Sequence, residues 1–192
     1  MTTDTVIHDG QTLTGTLGEE VKVSIADGAT VTLDGVNIFC KYDGWDHHCL
    51  WAAITCLGDA TLILSGVNSL HASGYGGYPG ILPAKRQGEG EEYTLTISGS
   101  GSLTVISESG PGIGSEFDNS SCGNISITGG TITAIGASTS AGIGASYQTS
   151  CGNISISGGI VTAIGQVSAL DTNTLLAAIS PSRGAPSQPP DL

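Results

Sequence analysis

The sequence predicts an all-β chain wound as a parallel β-helix of about five coils, and three observations predict it. A block recurs: Asn124-Ile-Ser-Ile-Thr-Gly-Gly130 returns as Asn153-Ile-Ser-Ile-Ser-Gly-Gly159, 29 residues later, and Thr133-Ala-Ile-Gly136 returns as Thr162-Ala-Ile-Gly165 at the same offset. Within each copy, apolar and hydroxyl residues alternate with period two, as in a half-buried strand. Glycine makes up 30 of the 192 residues, about twice its usual share, and it punctuates the strands.

Earlier copies extend the pattern. Ala29-Thr-Val-Thr-Leu-Asp-Gly-Val-Asn37 aligns with Ala60-Thr-Leu-Ile-Leu-Ser-Gly-Val-Asn68, and Tyr93-Thr-Leu-Thr-Ile-Ser-Gly99 follows. Gly35, Gly66, Gly99, Gly129 and Gly158 mark five repeats, with steps of 29 to 33 residues. A propeller blade needs more residues than this, and a leucine-rich repeat needs fewer and a leucine framework. Two or three short strands with tight turns fit one coil. Stacked coils place like side chains over like at a spacing of about 4.8 Å. Residues 1–20 are expected to form a first coil, and residues 1–168 one β-helix domain. Residues 169–180 leave the period. Ala169–Ile179 reads as a short capping helix started at Asp171 or Thr172, with Leu175, Leu176 and Ile179 covering the open end. Residues 181–192, rich in proline, read as a disordered tail.

Charge excludes several function classes. The 17 acidic residues outnumber the 5 basic ones, for a net charge of −12. Nucleic acid and anionic membrane both require a basic face. No apolar run approaches the roughly 20 residues that span a bilayer. Met1-Thr-Thr-Asp-Thr-Val-Ile7 lacks the pattern of a secretory signal, so the expectation is a cytoplasmic protein or a piece of a larger one.

The run Gly112-Ile-Gly114, Cys122-Gly-Asn-Ile-Ser-Ile-Thr-Gly-Gly130, Ala141-Gly-Ile-Gly144 and Cys151-Gly-Asn-Ile-Ser-Ile-Ser-Gly-Gly159 resembles the repeats of bacterial β-helix surface proteins described as carbohydrate-binding. Trp51-Ala-Ala-Ile54 and Gly58–Asn68 are similar to their earlier coils, so the likeness spans residues 21–165. It implies a right-handed coil that binds plant polysaccharide, with calcium and without cleavage, in a secreted or cell-surface protein. Solenoid coils look alike whatever they bind, so an adhesin stalk or structural spacer without a ligand is the second reading. A polysaccharide lyase or hydrolase is the third.

Loops between coils are where a ligand would be met. Aromatic residues are 5% of the chain, yet Tyr42, Trp45, Trp51, Tyr75 and Tyr78 gather in one stretch. Sugar rings present C–H faces that stack on such rings, and His47 and His48 can bond the hydroxyls. These seven are the expected ligand-binding residues, with core packing of Trp51 as the competing reading. Asp43 and Asp46 are the candidate calcium ligands; zinc through a histidine and Cys49 is the other metal reading. Against both stands a solvated acidic loop. Glu89, Glu91 and Glu92, and Glu116 with Asp118 and Asn119, are further acidic groups. Outward Thr30, Thr32, Thr61, Thr94, Thr96, Ser126 and Ser155 form a hydroxyl array that can order water, although threonine is also simply a good outward strand residue.

Five cysteines leave at least one thiol free. Cys122 and Cys151 are expected to stack as a buried thiol pair, with a strained bridge as the other reading, and Cys40 with Cys49 could staple the aromatic loop if the compartment is oxidising. No catalytic residue is expected. Lys22, Lys41, Lys85, Arg86 and Arg183 are the only basic side chains, no outward strand repeats aspartate, and no Gly-x-Ser-x-Gly elbow occurs.

Overall fold

The computed structural model describes residues 3–18, 21–41, 50–74, 76–85, 92–117, 121–166 and 178–179. The chain is a parallel β-helix. One strand from each turn builds a six-stranded sheet: β1 (Thr3–Ile7), β3 (Val21–Ile25), β5 (Ile54–Cys56), β8 (Ile81–Leu82), β11 (Ile113–Gly114) and β15 (Ile143–Gly144). The other strands form a bent sheet of two rows. The first row is β4 (Ala29–Lys41), β6 (Ala60–Ser65), β9 (Thr94–Gly99), β13 (Asn124–Ile127) and β17 (Ile154–Ile156). The second runs from β4 through β7 (Val67–Ser73), β10 (Ser102–Ser107) and β14 (Thr131–Ser138) to β18 (Ile160–Gln166). β4 belongs to both rows because it continues through the bend, and β2 (Thr12–Leu17) pairs with it. Two short strands, β12 (Ser121–Cys122) and β16 (Ser150–Cys151), make a small third sheet.

Like stacks on like. Val23, Ile54, Ile81, Ile113 and Ile143 form one continuous ladder. Val31, Leu62, Ile97, Ile127 and Ile156 form another. All of these but Ile143 and Ile156, in the last turn, are 0% exposed. Each fully buried aliphatic is worth about 1.5–3 kcal/mol, and a single turn could not bury it alone. Outside, Thr30, Thr61, Thr96, Ser126 and Ser155 align as predicted, while Thr32 meets Ile63.

Six strands in the first sheet mean six turns, one more than the glycine-marked repeats. The first turn takes only about 20 residues, because Leu13 pairs with Leu33 and no long loop intervenes. Its corner glycine, Gly15, has φ 83°, matching Gly35 at 67° and Gly66 at 61°. In the fifth and sixth turns the left-handed residue is the second glycine of each pair, Gly130 and Gly159, not Gly129 and Gly158.

A second corner, after the first sheet, is held by a staircase of Asx side chains. The carboxylate of Asp9 accepts from Thr30 N–H at 2.8 Å, Asp27 from Asp59 N–H at 2.9 Å and Asp59 from Thr94 N–H at 2.7 Å. The amide oxygen of Asn124 accepts from Asn153 N–H at 2.8 Å. Each satisfies a backbone donor of the next turn, where the ladder is interrupted by the bend.

One apparent repeat is not one. The two Gly-Val-Asn triplets face opposite ways: Asp34 pairs with Ser65, but beyond the corner Asn37 pairs with Ser69. That one-residue slip buries Val36 and leaves Val67 77% exposed. Asn68 turns inward, accepts from Val36 N–H at 2.9 Å, and donates to the carbonyls of Ser65 and Ser102 at 2.9 and 3.0 Å.

At the far end, the structure corrects the expected capping helix where it describes that segment. Ala178–Ile179 is a strand, β19, antiparallel to β18, with Val161 opposite Ile179. The outer edge of β18 carries unpaired N–H and C=O groups, which a strand can satisfy and a helix laid over the end could not. The rest of that segment and the 181–192 tail lie outside the described residues.

Candidate functional site

Of the expected ligand-binding residues, the structure describes Trp51 and Tyr78. Tyr42, Trp45, His47, His48 and Tyr75 lie outside the described residues, as do Asp43, Asp46, Cys49, Glu89, Glu91, Asp118 and Asn119. Trp51 and Tyr78 each stand three residues before a ladder isoleucine, Ile54 and Ile81, which pair directly. They therefore hold corresponding places in successive turns, and both are half-buried.

The next two turns add rings that were not singled out from the sequence. Phe117 and Tyr147 each stand four residues after the paired Ile113 and Ile143. Their rings stack at 6.4 Å between centroids and 25° between planes. They are 38% and 48% exposed, so the pair presents apolar surface to solvent. Phe117 is seated on a backbone that cannot carry a side chain: a Cβ at Gly77 would lie 2.1 Å from that of Phe117. The signal was present in the chain, in Gly112-Ile-Gly-Ser-Glu-Phe117 and Gly142-Ile-Gly-Ala-Ser-Tyr147, but only the glycine frame of the motif drew notice.

Hydroxyls tie the two loops together. Ser115 Oγ hydrogen-bonds Thr149 Oγ1, and Ser146 N–H donates to Ser115 Oγ at 3.1 Å and to Thr149 Oγ1 at 2.8 Å. Ser140 and Ser146 hydroxyls meet at 3.1 Å. Beyond the rings, Cys122 and Cys151 are bonded as a disulfide, not the thiol pair expected. Parallel pairing in β12 and β16 sets their Cα atoms 4.5 Å apart, inside the range a disulfide spans. Cys40 is also disulfide-bonded, and Cys56 is a free thiol whose pKa burial pushes up to about 12, so it stays neutral and inert.

Glu116 sits beside this ring pair in sequence and within electrostatic reach of Tyr78. Burial raises the Glu116 pKa, and the charge of Lys22 offsets part of that rise. Tyr78 is raised by burial and then by the negative charge of Glu116. A carboxyl raised on folding favours the protonated form in the native state. Its stabilising contribution is whole below the ordinary value of 4.5 and is lost as pH rises through the higher folded value. A Glu116→Gln variant should therefore lose less thermal stability than the parent between pH about 4 and about 7. Equal slopes for the two proteins would show that Glu116 is not held in this way.

Among the described residues no group of three or more His, Cys, Asp or Glu side chains could hold a metal ion, and no helix is long and apolar enough to cross a membrane. The fold and this face define a parallel β-helix presenting a braced aromatic surface at one run of loops. A family model described as a β-helix repeat matches residues 125–147 and 154–180. No curated protein and no solved structure matches the chain.

Proposed function

We propose that the chain is a non-catalytic carbohydrate-binding module of a secreted or cell-surface protein, holding polysaccharide on the Phe117–Tyr147 pair. The observation that carries this reading is the stacked, solvent-facing pair on loops braced by a disulfide and a hydroxyl network. Aromatic rings stack on the C–H faces of sugars, and a surface rigid before binding loses little entropy on binding. Disulfides support an oxidising compartment.

Affinity electrophoresis or calorimetry against a panel of soluble plant and microbial polysaccharides tests the reading. At least one glycan should bind the parent, and Phe117→Ala with Tyr147→Ala should weaken it about tenfold or more, at roughly 0.5–1.5 kcal/mol per ring. Retained affinity in the double variant would refute the ring pair as the anchor. Silence across the whole panel would favour the spacer, and release of new sugar ends would favour an enzyme. Parallel titrations in calcium and in chelator test whether the loop bearing Asp43 and Asp46 contributes.

A further inference from the structure

A second site lies past the C-terminal end of β5. Trp51 precedes β5, while Asp59 follows it, at the Asx corner. There a shallow groove of about 220 Å³ is lined by Gly28, Asp59, Ala60, Thr61, Thr94 and Thr96, from three successive turns. We propose that this groove is a polar subsite for the vicinal diol of one neutral sugar ring.

The lining sets the ligand class. Asp59 is fixed twice, its N–H donating to Asp27 Oδ1 and its Oδ1 accepting from Thr94 N–H. Its second carboxylate oxygen has no protein partner among the described residues. Thr61 and Thr96 pair in register on the outer face, and neither hydroxyl bonds another described residue. At Gly28, with φ +73°, a Cβ would meet nothing within 4 Å, so the side of the groove there is open.

One strong acceptor beside two rotatable hydroxyls matches adjacent sugar hydroxyls, one donating to Asp59 and the other exchanging a hydrogen bond with threonine. A carboxylate with no cation in the lining rejects phosphate and carboxylate ligands. Calcium takes six to eight oxygens, usually with several carboxylates, and this lining offers a single carboxylate. The volume falls below the roughly 300–1,000 Å³ of drug-sized pockets and suits one ring. The inference stands apart from the aromatic platform, since it uses none of its residues.

The test is a ¹H–¹⁵N and methyl NMR titration of the full chain with methyl glucoside, methyl mannoside and methyl galactoside. At least one should produce saturable shifts at Thr61, Thr96 and the Asp59 and Ala60 amides, with millimolar affinity. Asp59→Asn keeps the Oδ1 acceptor for Thr94 and should weaken binding fivefold or more. Thr61→Val with Thr96→Val should do the same with unchanged folding, judged by amide dispersion. Phe117→Ala with Tyr147→Ala should leave the groove shifts intact, so failure of the platform and failure of the groove are read separately. No saturable shift at these residues with any of the three glycosides overturns the proposal. So do undiminished shifts in both groove variants, or saturation of the same residues by calcium chloride that blocks the sugar.

Discussion

Replacing Cys122 and Cys151 together by alanine should lower stability by about 3–4 kcal/mol. The bond joins residues 29 apart and so closes a loop of one full turn. The loop-closure entropy removed from the unfolded chain is worth about 3.6 kcal/mol at that length. The loss should be concentrated in the last turn. A solenoid is held by nearest-neighbour contacts, and among the described residues the sixth turn has a whole turn on one side and only the short β19 on the other, with Ile154 already 44% exposed where its ladder partner Ile125 is buried. Urea denaturation of the parent, with and without reductant, beside the double variant is the measurement. Reductant should shift the parent by more than it shifts the variant, which keeps only the bond at Cys40 to lose. Glycan affinity should fall in parallel, because the bond braces the loops that carry Phe117 and Tyr147. An unchanged midpoint in reductant would show that the parallel strands alone hold the last turn.

Asn68→Ala should cost roughly 3 kcal/mol, the second large effect. Asn68 is 1% exposed and satisfies Val36 N–H and the carbonyls of Ser65 and Ser102, which span three turns. Truncation strands all three groups in the interior, at about 1–3 kcal/mol for each that finds no water. Asn37→Ala, at the same place in the apparent repeat but exposed, should cost under about 0.5 kcal/mol. Urea midpoints for the two variants, at equal m-values, check the contrast. Similar losses at both positions would contradict the inward turn of Asn68.

The contrast between these two asparagines shows how far the sequence could be read. Period-two alternation carried the ladders correctly: Ile127 does lie against Ile156, and Leu95 against Ile125. Alternation reports facing only while the register holds. At Gly66 one added residue inverts every side chain after it, and two identical triplets come to face opposite ways. The first turn escaped the glycine count for a related reason, since a turn without its loop falls outside the 30-residue spacing.

The site was less legible. Composition pointed to the aromatic stretch from Tyr42 to Tyr78, while the exposed stacked pair came from two residues 30 apart in a chain with few aromatics. A single Phe or Tyr in a loop carries no signal until the turns are stacked. Glu116, noted only as part of a candidate acidic group with Asp118 and Asn119, gained its raised pKa from burial that no local pattern announces. Cys122 and Cys151 were matched by offset, but whether they bond depended on the 4.5 Å between Cα atoms.

What the sequence by itself determined is the coil: hydroxyl and aliphatic residues in alternation, glycine at the bends and a near-constant period oblige the chain to stack turn on turn. Those are short-range requirements, met residue by residue. The tertiary structure decided which way Val67 and Asn68 face, that two cysteines close a bond, and that Phe117 and Tyr147 meet. Each of these depends on a distance between turns, and such distances exist only once the stack has formed.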